Sequence, residues 1–257
     1  MYDQQLHATY DAIKKLSMSF QVEPLEIVKQ VHQYRMYWKP DTVKTLLLAE
    51  SHVFTSAESF AQRHKCDIFD DLAGYPKEYV RFVYCLSYGD SDSMLNPLPG
   101  RNSGTPQFWK LFNETVKRDL RVTNCPDKNK TVAANFCVVN NPDKADKRAE
   151  KIALLQEMQK KGVWLMDCGI TGVYVPGGQA PSSNDYNQIL KTSFDKYCLP
   201  IIEETNPQQI IVVGQRVYNL LKADYKLSMN LDWIHQPQAR VTNEQRRTLA
   251  KIGYKPV

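Results

Sequence analysis

Three polar residues in succession, Glu50, Ser51 and His52, close the apolar run TLLLA at residues 45–49. A short apolar run that breaks into small and polar residues reads as a buried strand of a parallel sheet. Open α/β sheets bind ligands at the carboxyl ends of their strands, so this carboxylate, hydroxyl and imidazole are the first candidates for chemistry. The alternative is that they cap the next helix and face water. A second strand-like run, VWLMD at 163–167, ends on Asp167 and breaks into Cys168, Gly169, Ile170, Thr171 and Gly172. A third polar group lies near the end of the chain around His235. These three groups could converge at one edge of a sheet.

Their placement depends on the elements around them. Apolar positions at helical spacing (Leu6, Tyr10, Ile13, then Leu25, Val28, Val31, Tyr34) predict two helices before Pro40, with Tyr34, Tyr37 and Trp38 in the core or at an interface. Strands are expected at 43–49, 79–87, 163–167 and 209–213, with a further short one at 134–139. The Gly-, Pro- and Asn-rich stretch 89–104 reads as a long loop. Helices are expected at 105–120, with Thr105 as cap and Pro106 at its first position, at 147–161 ended by Gly162, at 186–205, at 215–222 and at 243–251. Strands alternating with helices predict an α/β fold: a three-layer α/β/α sandwich around a mostly parallel, roughly four-stranded sheet. The expected organisation is one domain over residues 1–257, with residues 1–40 as a helical extension packed on it.

The chain has 257 residues and a formal net charge of +5, a mild excess that permits binding to a phosphate polymer without requiring it. Its apolar runs are too short to span a bilayer, and its first residues lack the pattern of a signal peptide. Six cysteines (Cys66, Cys85, Cys125, Cys137, Cys168, Cys198) include no C-x-x-C pair, which argues against tandem zinc or iron–sulfur ligation and for reduced thiols. The expectation is a monomeric protein of the cytoplasm or nucleoid, with no membrane partner, metal or cofactor.

The ordered set AESHV, GTPQFWKLF, GVWLMD, QIIVVGQRVYNLL and IHQPQAR resembles the uracil-DNA glycosylase superfamily, nearest its mismatch-specific and thymine-DNA glycosylase branch. The resemblance runs over residues 43–252, and FWKLF is its strongest piece. It implies a monofunctional glycosylase that flips a pyrimidine out of DNA and hydrolyses its N-glycosidic bond, leaving an abasic site. The transition state pairs an oxocarbenium-like sugar with an anionic leaving base. By resemblance, His235 donates to the base oxygen where that charge develops. Ser51 stands where the family has Asp or Asn, and Glu50 and His52 are the other candidates to hold the water.

Asp167 falls where the family reads the pyrimidine edge with Asn. An ionised Asp offers only acceptors, which suits the exocyclic amine of cytosine, including a cytosine bearing a bulky modification admitted by Gly169, Gly172, Gly177 and Gly178. A protonated Asp167 would read uracil or thymine instead. Phe54 and Tyr88 are the candidates to stack on the base. Lys110, Arg240, Arg246 and Arg247 are the candidates to hold DNA phosphates, and Gln238 or Arg240 to wedge into the vacated stack. Repair and defence against foreign modified DNA are both compatible roles. The alternatives are a DNA-binding protein of the same fold whose catalytic motif has decayed, with Ala49, Ser51 and His52 as the scars, or an unrelated small-molecule α/β hydrolase.

Overall fold

The computed structural model describes residues 2–16, 21–65, 67–97, 102, 104–116, 144–175, 178, 180–224 and 231–234. The chain forms two compact units that interleave along the sequence. The first holds residues 1–37, 49–104 and 166–206; the second holds 38–48, 105–165 and 207–257.

The second unit is built on strands β1 (Thr45–Ala49), β2 (Val163–Asp167), β3 (Gln209–Val213) and β4 (Leu231–Ile234). They form one all-parallel sheet in the order β2-β1-β3-β4, surrounded by helices, as the α/β/α class requires. The ends of β1 and β2, Ala49 and Met166–Asp167, already count with the first unit. Both strands are buried throughout, hence continuous apolar runs rather than alternating ones. Helices α4 (Pro106–Val116) and α5 (Lys144–Lys161) pack on each other, and α8 (Gln215–Asp224) packs on β3 and β4. Trp109, Phe112 and Val116 form a buried stripe on α4, with the Lys151 ammonium 4.9 Å from the Trp109 ring centre. Gly162 ends α5 at φ +73°, where a Cβ would stand 2.7 Å from the Thr42 carbonyl. Its own carbonyl accepts from the Lys44 and Thr45 amides, which sets the entry to β1.

The first unit is largely helical. Helix α1 (Tyr2–Lys14) buries Leu6, Thr9, Tyr10 and Ile13 on one stripe. Helix α2 (Leu25–Tyr37) buries a broad face that includes His32 and Arg35. These helices are integral to the unit, and their segment supplies two buried charges of the site described below. A short helix α3 (Ala57–Phe60) is capped by the Ser56 hydroxyl, which accepts from the Ser59 amide. Helices α6 (Ser183–Ser193) and α7 (Leu199–Thr205) flank a π-helical turn, Phe194–Cys198, so the expected single helix has a wider turn in its middle.

One expected strand is not a strand. Residues 79–87 fold as successive tight turns, with the Cys85 amide bonded to the Phe82 carbonyl at 2.9 Å and the Tyr88 amide to that of Cys85 at 2.9 Å. Val80, Phe82, Val83, Tyr84, Cys85 and Leu86 are all buried, which gives the apolar run its strand-like look. The Tyr75 hydroxyl donates to the Tyr84 carbonyl and accepts from the Leu86 amide, doing for this backbone what a neighbouring strand would have done. The fourth strand is instead Leu231–Ile234, where the sequence predicted no element. The expected strand at 134–139 and helix at 243–251 lie outside the described residues.

Candidate functional site

The sheet order fixes where β1 ends. The connection from β1 leads to β2 on one side of it, while β3 and β4 lie on the other. The carboxyl end of β1 is thus the topological switch point, the usual ligand site of open α/β sheets. Glu50 and Ser51 sit there half-buried, and His52 is buried. The end of β2 is tied alongside: the Cys168 amide donates to the Ala49 carbonyl at 2.7 Å and the Gly169 amide to that of Glu50 at 2.8 Å.

Beneath this end lies a buried cluster of four ionisable side chains. Nη2 of Arg35 donates to Oδ2 of Asp167 at 2.9 Å, with the side chains 1% and 3% exposed. The imidazole of His52 lies between two carboxylates, with Nε2 2.6 Å from Oε2 of Glu23 and Nδ1 3.6 Å from Oδ2 of Asp167. Glu23 also accepts from the amides of Thr55 and, at 2.7 Å, Gly172, and from the Thr171 hydroxyl at 3.5 Å. Burial opposes charge on His52, but first the Glu23 carboxylate and then Asp167 outweigh it and raise its pKa to about 9. The imidazole is therefore a cation at neutral pH, set between the Glu23 and Asp167 carboxyl groups. The Phe82 ring closes it, 5.4 Å from the Arg35 guanidinium and 6.0 Å from the His52 ring. The π-helical turn adds Cys198, whose thiol donates to the Asp167 carbonyl at 3.3 Å.

This arrangement redistributes the expected roles. His52 is committed to Glu23 and Asp167, so its place is structural. Asp167 engages Arg35 and His52 and is 3% exposed, where an open base-reading edge was expected. Gly169 and Gly172 are filled in: a Cβ on Gly172 would stand 2.6 Å from the Phe54 Cα, and one on Gly169 would meet Leu190 at 3.1 Å. Gly178 packs on Val175 of its own loop, and Gly177 lies outside the described residues. Phe54 and Tyr88 are each 4% exposed, part of the core rather than of a surface that a base could reach. Tyr88 also follows no strand. Lys110 falls on α4 in the second unit. His235, Gln238, Arg240, Arg246 and Arg247 lie outside the described residues.

Glu50 and Ser51 keep accessible side chains, and a tyrosine pair accompanies them. The Tyr186 hydroxyl and the Ser51 hydroxyl are 2.9 Å apart. Burial, followed by the charge of Glu50, pushes the Tyr186 phenol well above its usual range, so it remains a neutral donor. Tyr174 meets Tyr186 edge-to-face at 5.3 Å and is 49% exposed. A carboxylate, a hydroxyl and a neutral phenol gathered at a strand end can hold a water and orient a polar ligand.

Sequence reasoning missed Glu23, Arg35, Tyr174 and Tyr186. Arg35 had a signal, since it continues the Val28–Val31 apolar register of α2 and so had to be buried with a partner. Glu23, between Val22 and Pro24, had a weaker one. Among the described residues no group of His, Cys, Asp and Glu is arranged to hold a metal ion, and no helix is long and apolar enough to cross a membrane. Cys85, Cys168 and Cys198 are buried free thiols. No family model matches the sequence, and a search of curated proteins finds no match either.

Proposed function

We propose that the protein is a monofunctional DNA glycosylase that hydrolyses the N-glycosidic bond of a flipped-out pyrimidine and leaves an abasic site. The observation that carries this reading is the position of Glu50 and Ser51, half-buried at the carboxyl end of the switch-point strand β1. Breaking a glycosidic bond dissociatively asks little of a general base; it asks for a held water near the forming oxocarbenium ion and a donor for the departing base. Glu50 and Ser51 supply the first. His235 supplies the second by the ordered motifs of the sequence.

The substrate class is a pyrimidine. Reading the exocyclic amine of a modified cytosine requires an open Asp167 carboxylate, and the Arg35 bond to Asp167 weighs against that role. The net charge of +5 favours a polyanionic partner, with the protein acting as a monomer in the cytoplasm or on the nucleoid. Repair and attack on modified foreign DNA use the same chemistry.

The test is a panel of duplex and single-stranded oligonucleotides carrying uracil, mismatched thymine, cytosine or 5-substituted cytosines, scored by alkali-labile breaks. Breaks at one of these bases are expected, abolished or strongly reduced in Glu50→Gln. Binding to every oligonucleotide without breaks would favour the decayed DNA-binding protein, a reading that the structural commitment of His52 also fits. Failure to bind DNA at low salt would favour a small-molecule hydrolase.

A further inference from the structure

We infer that Tyr174 is the platform on which the planar base stacks at this site; the inference rests on the glycosylase reading. Among the described residues the exposed large apolar side chains are Val53, Leu95 and Tyr174, at 36%, 56% and 49%, and Tyr174 alone of these is aromatic. It stands one contact away from the candidate chemistry: its ring meets Tyr186 at 5.3 Å, and the Tyr186 hydroxyl meets Ser51 at 2.9 Å. The backbone behind it is fixed. Val173 is wholly buried, and the Gly172 amide is bonded to Glu23 in the ionic cluster. A ring held edge-to-face at one side and wet at the other is pre-organised, so a second ring can stack on it at little cost in side-chain freedom. Stacking on an aromatic side chain accepts any base, because every base has a π face. Phe54 and Tyr88, the aromatics that the sequence offered for this role, are buried.

The full-length protein would be titrated with free uracil, thymine, cytosine and 5-hydroxymethylcytosine by ligand-observed NMR. At least one base is expected to bind, with its ring protons shifted by the tyrosine ring current. Tyr174→Ala and Tyr174→Leu should each weaken that binding about tenfold, the effect of losing one base–aromatic stack. Tyr174→Phe should stay within about twofold of the parent, as should Val53→Ala and Leu95→Ala. No binding of any base to the parent, or undiminished binding to both Tyr174→Ala and Tyr174→Leu, would overturn the inference. Abasic-site formation separates the two readings. Tyr174-dependent binding with no abasic sites would leave the platform standing and remove the glycosylase. Abasic sites formed by Tyr174→Ala at the parent rate would do the reverse.

Discussion

The guanidinium of Arg35 is bonded to the carboxylate of Asp167 at 2.9 Å, both side chains almost wholly buried and 132 residues apart in sequence. This pair joins helix α2 to the end of β2. Through His52 and Glu23 it also joins the segment after β1, so the backbone that presents Glu50 and Ser51 is braced from below.

Breaking that pair from one side should be costly. Arg35→Met or Asp167→Asn leaves a buried charge without its partner, which costs about 3–5 kcal/mol. Urea unfolding should show the loss as a lower midpoint at similar slope. The double replacement Arg35→Met with Asp167→Leu should recover much of it, since paired apolar groups carry no desolvation penalty. A double variant no more stable than either single one would show that the pair is not the source of the loss.

Stability should peak near neutral pH and fall on both sides. The folded pKa of His52 is raised to about 9 from 6.5, so its contribution is complete below pH 6.5 and is lost as pH rises through 9. Across that window the slope is about 1.4 kcal/mol per pH unit, one proton's worth. His32 and His64 behave oppositely: burial lowers each to about 4, so stability falls between pH 6.5 and 4 as the unfolded chain takes up protons that the folded one refuses. Denaturation followed across pH 4–9 checks this, and His52→Gln should remove the alkaline slope. An alkaline limb unchanged in His52→Gln would mean that another group sets it.

Removing charge from the strand end should reduce base release without unfolding the protein. Glu50→Gln is expected to slow single-turnover cleavage about 100-fold, the order for losing one charged group that faces the oxocarbenium ion and its water. Ser51→Ala and Tyr186→Phe each delete the Ser51–Tyr186 hydrogen bond and should have smaller effects, each under about tenfold and not additive when combined. Additive losses in the Ser51→Ala, Tyr186→Phe double variant would show that the two hydroxyls act separately.

Gly172→Ala should loosen the site. The added methyl would stand 2.6 Å from the Phe54 Cα and 2.7 Å from its nitrogen, and backbone cannot rotate away as a side chain could. The two segments must part, straining the Gly172–Glu23 bond, at a cost of about 1–3 kcal/mol. Thermal unfolding checks this, with an unchanged midpoint as the outcome that contradicts it.

The sequence alone determined the parallel α/β class, because buried parallel strands must be continuous apolar runs: TLLLA, VWLMD and QIIVV are three of the four. It also located Glu50 and Ser51, since a strand must end where polar residues begin. It could not tell residues 79–87 from a strand, because an apolar run looks the same whether neighbouring strands or the Tyr75 hydroxyl meets its backbone. Nor could it mark Leu231–Ile234, where four residues carry too little pattern. Tertiary structure alone decided what each polar group does. An aspartate at a strand end is a reader of substrate if water reaches it and a brace if an arginine does. The arginine that reaches Asp167 comes from a helix 132 residues earlier, at a distance in sequence over which no local pattern carries information. The same holds for His52, which Glu23 fixes inside, and for Tyr174, which the fold leaves half in water against Tyr186.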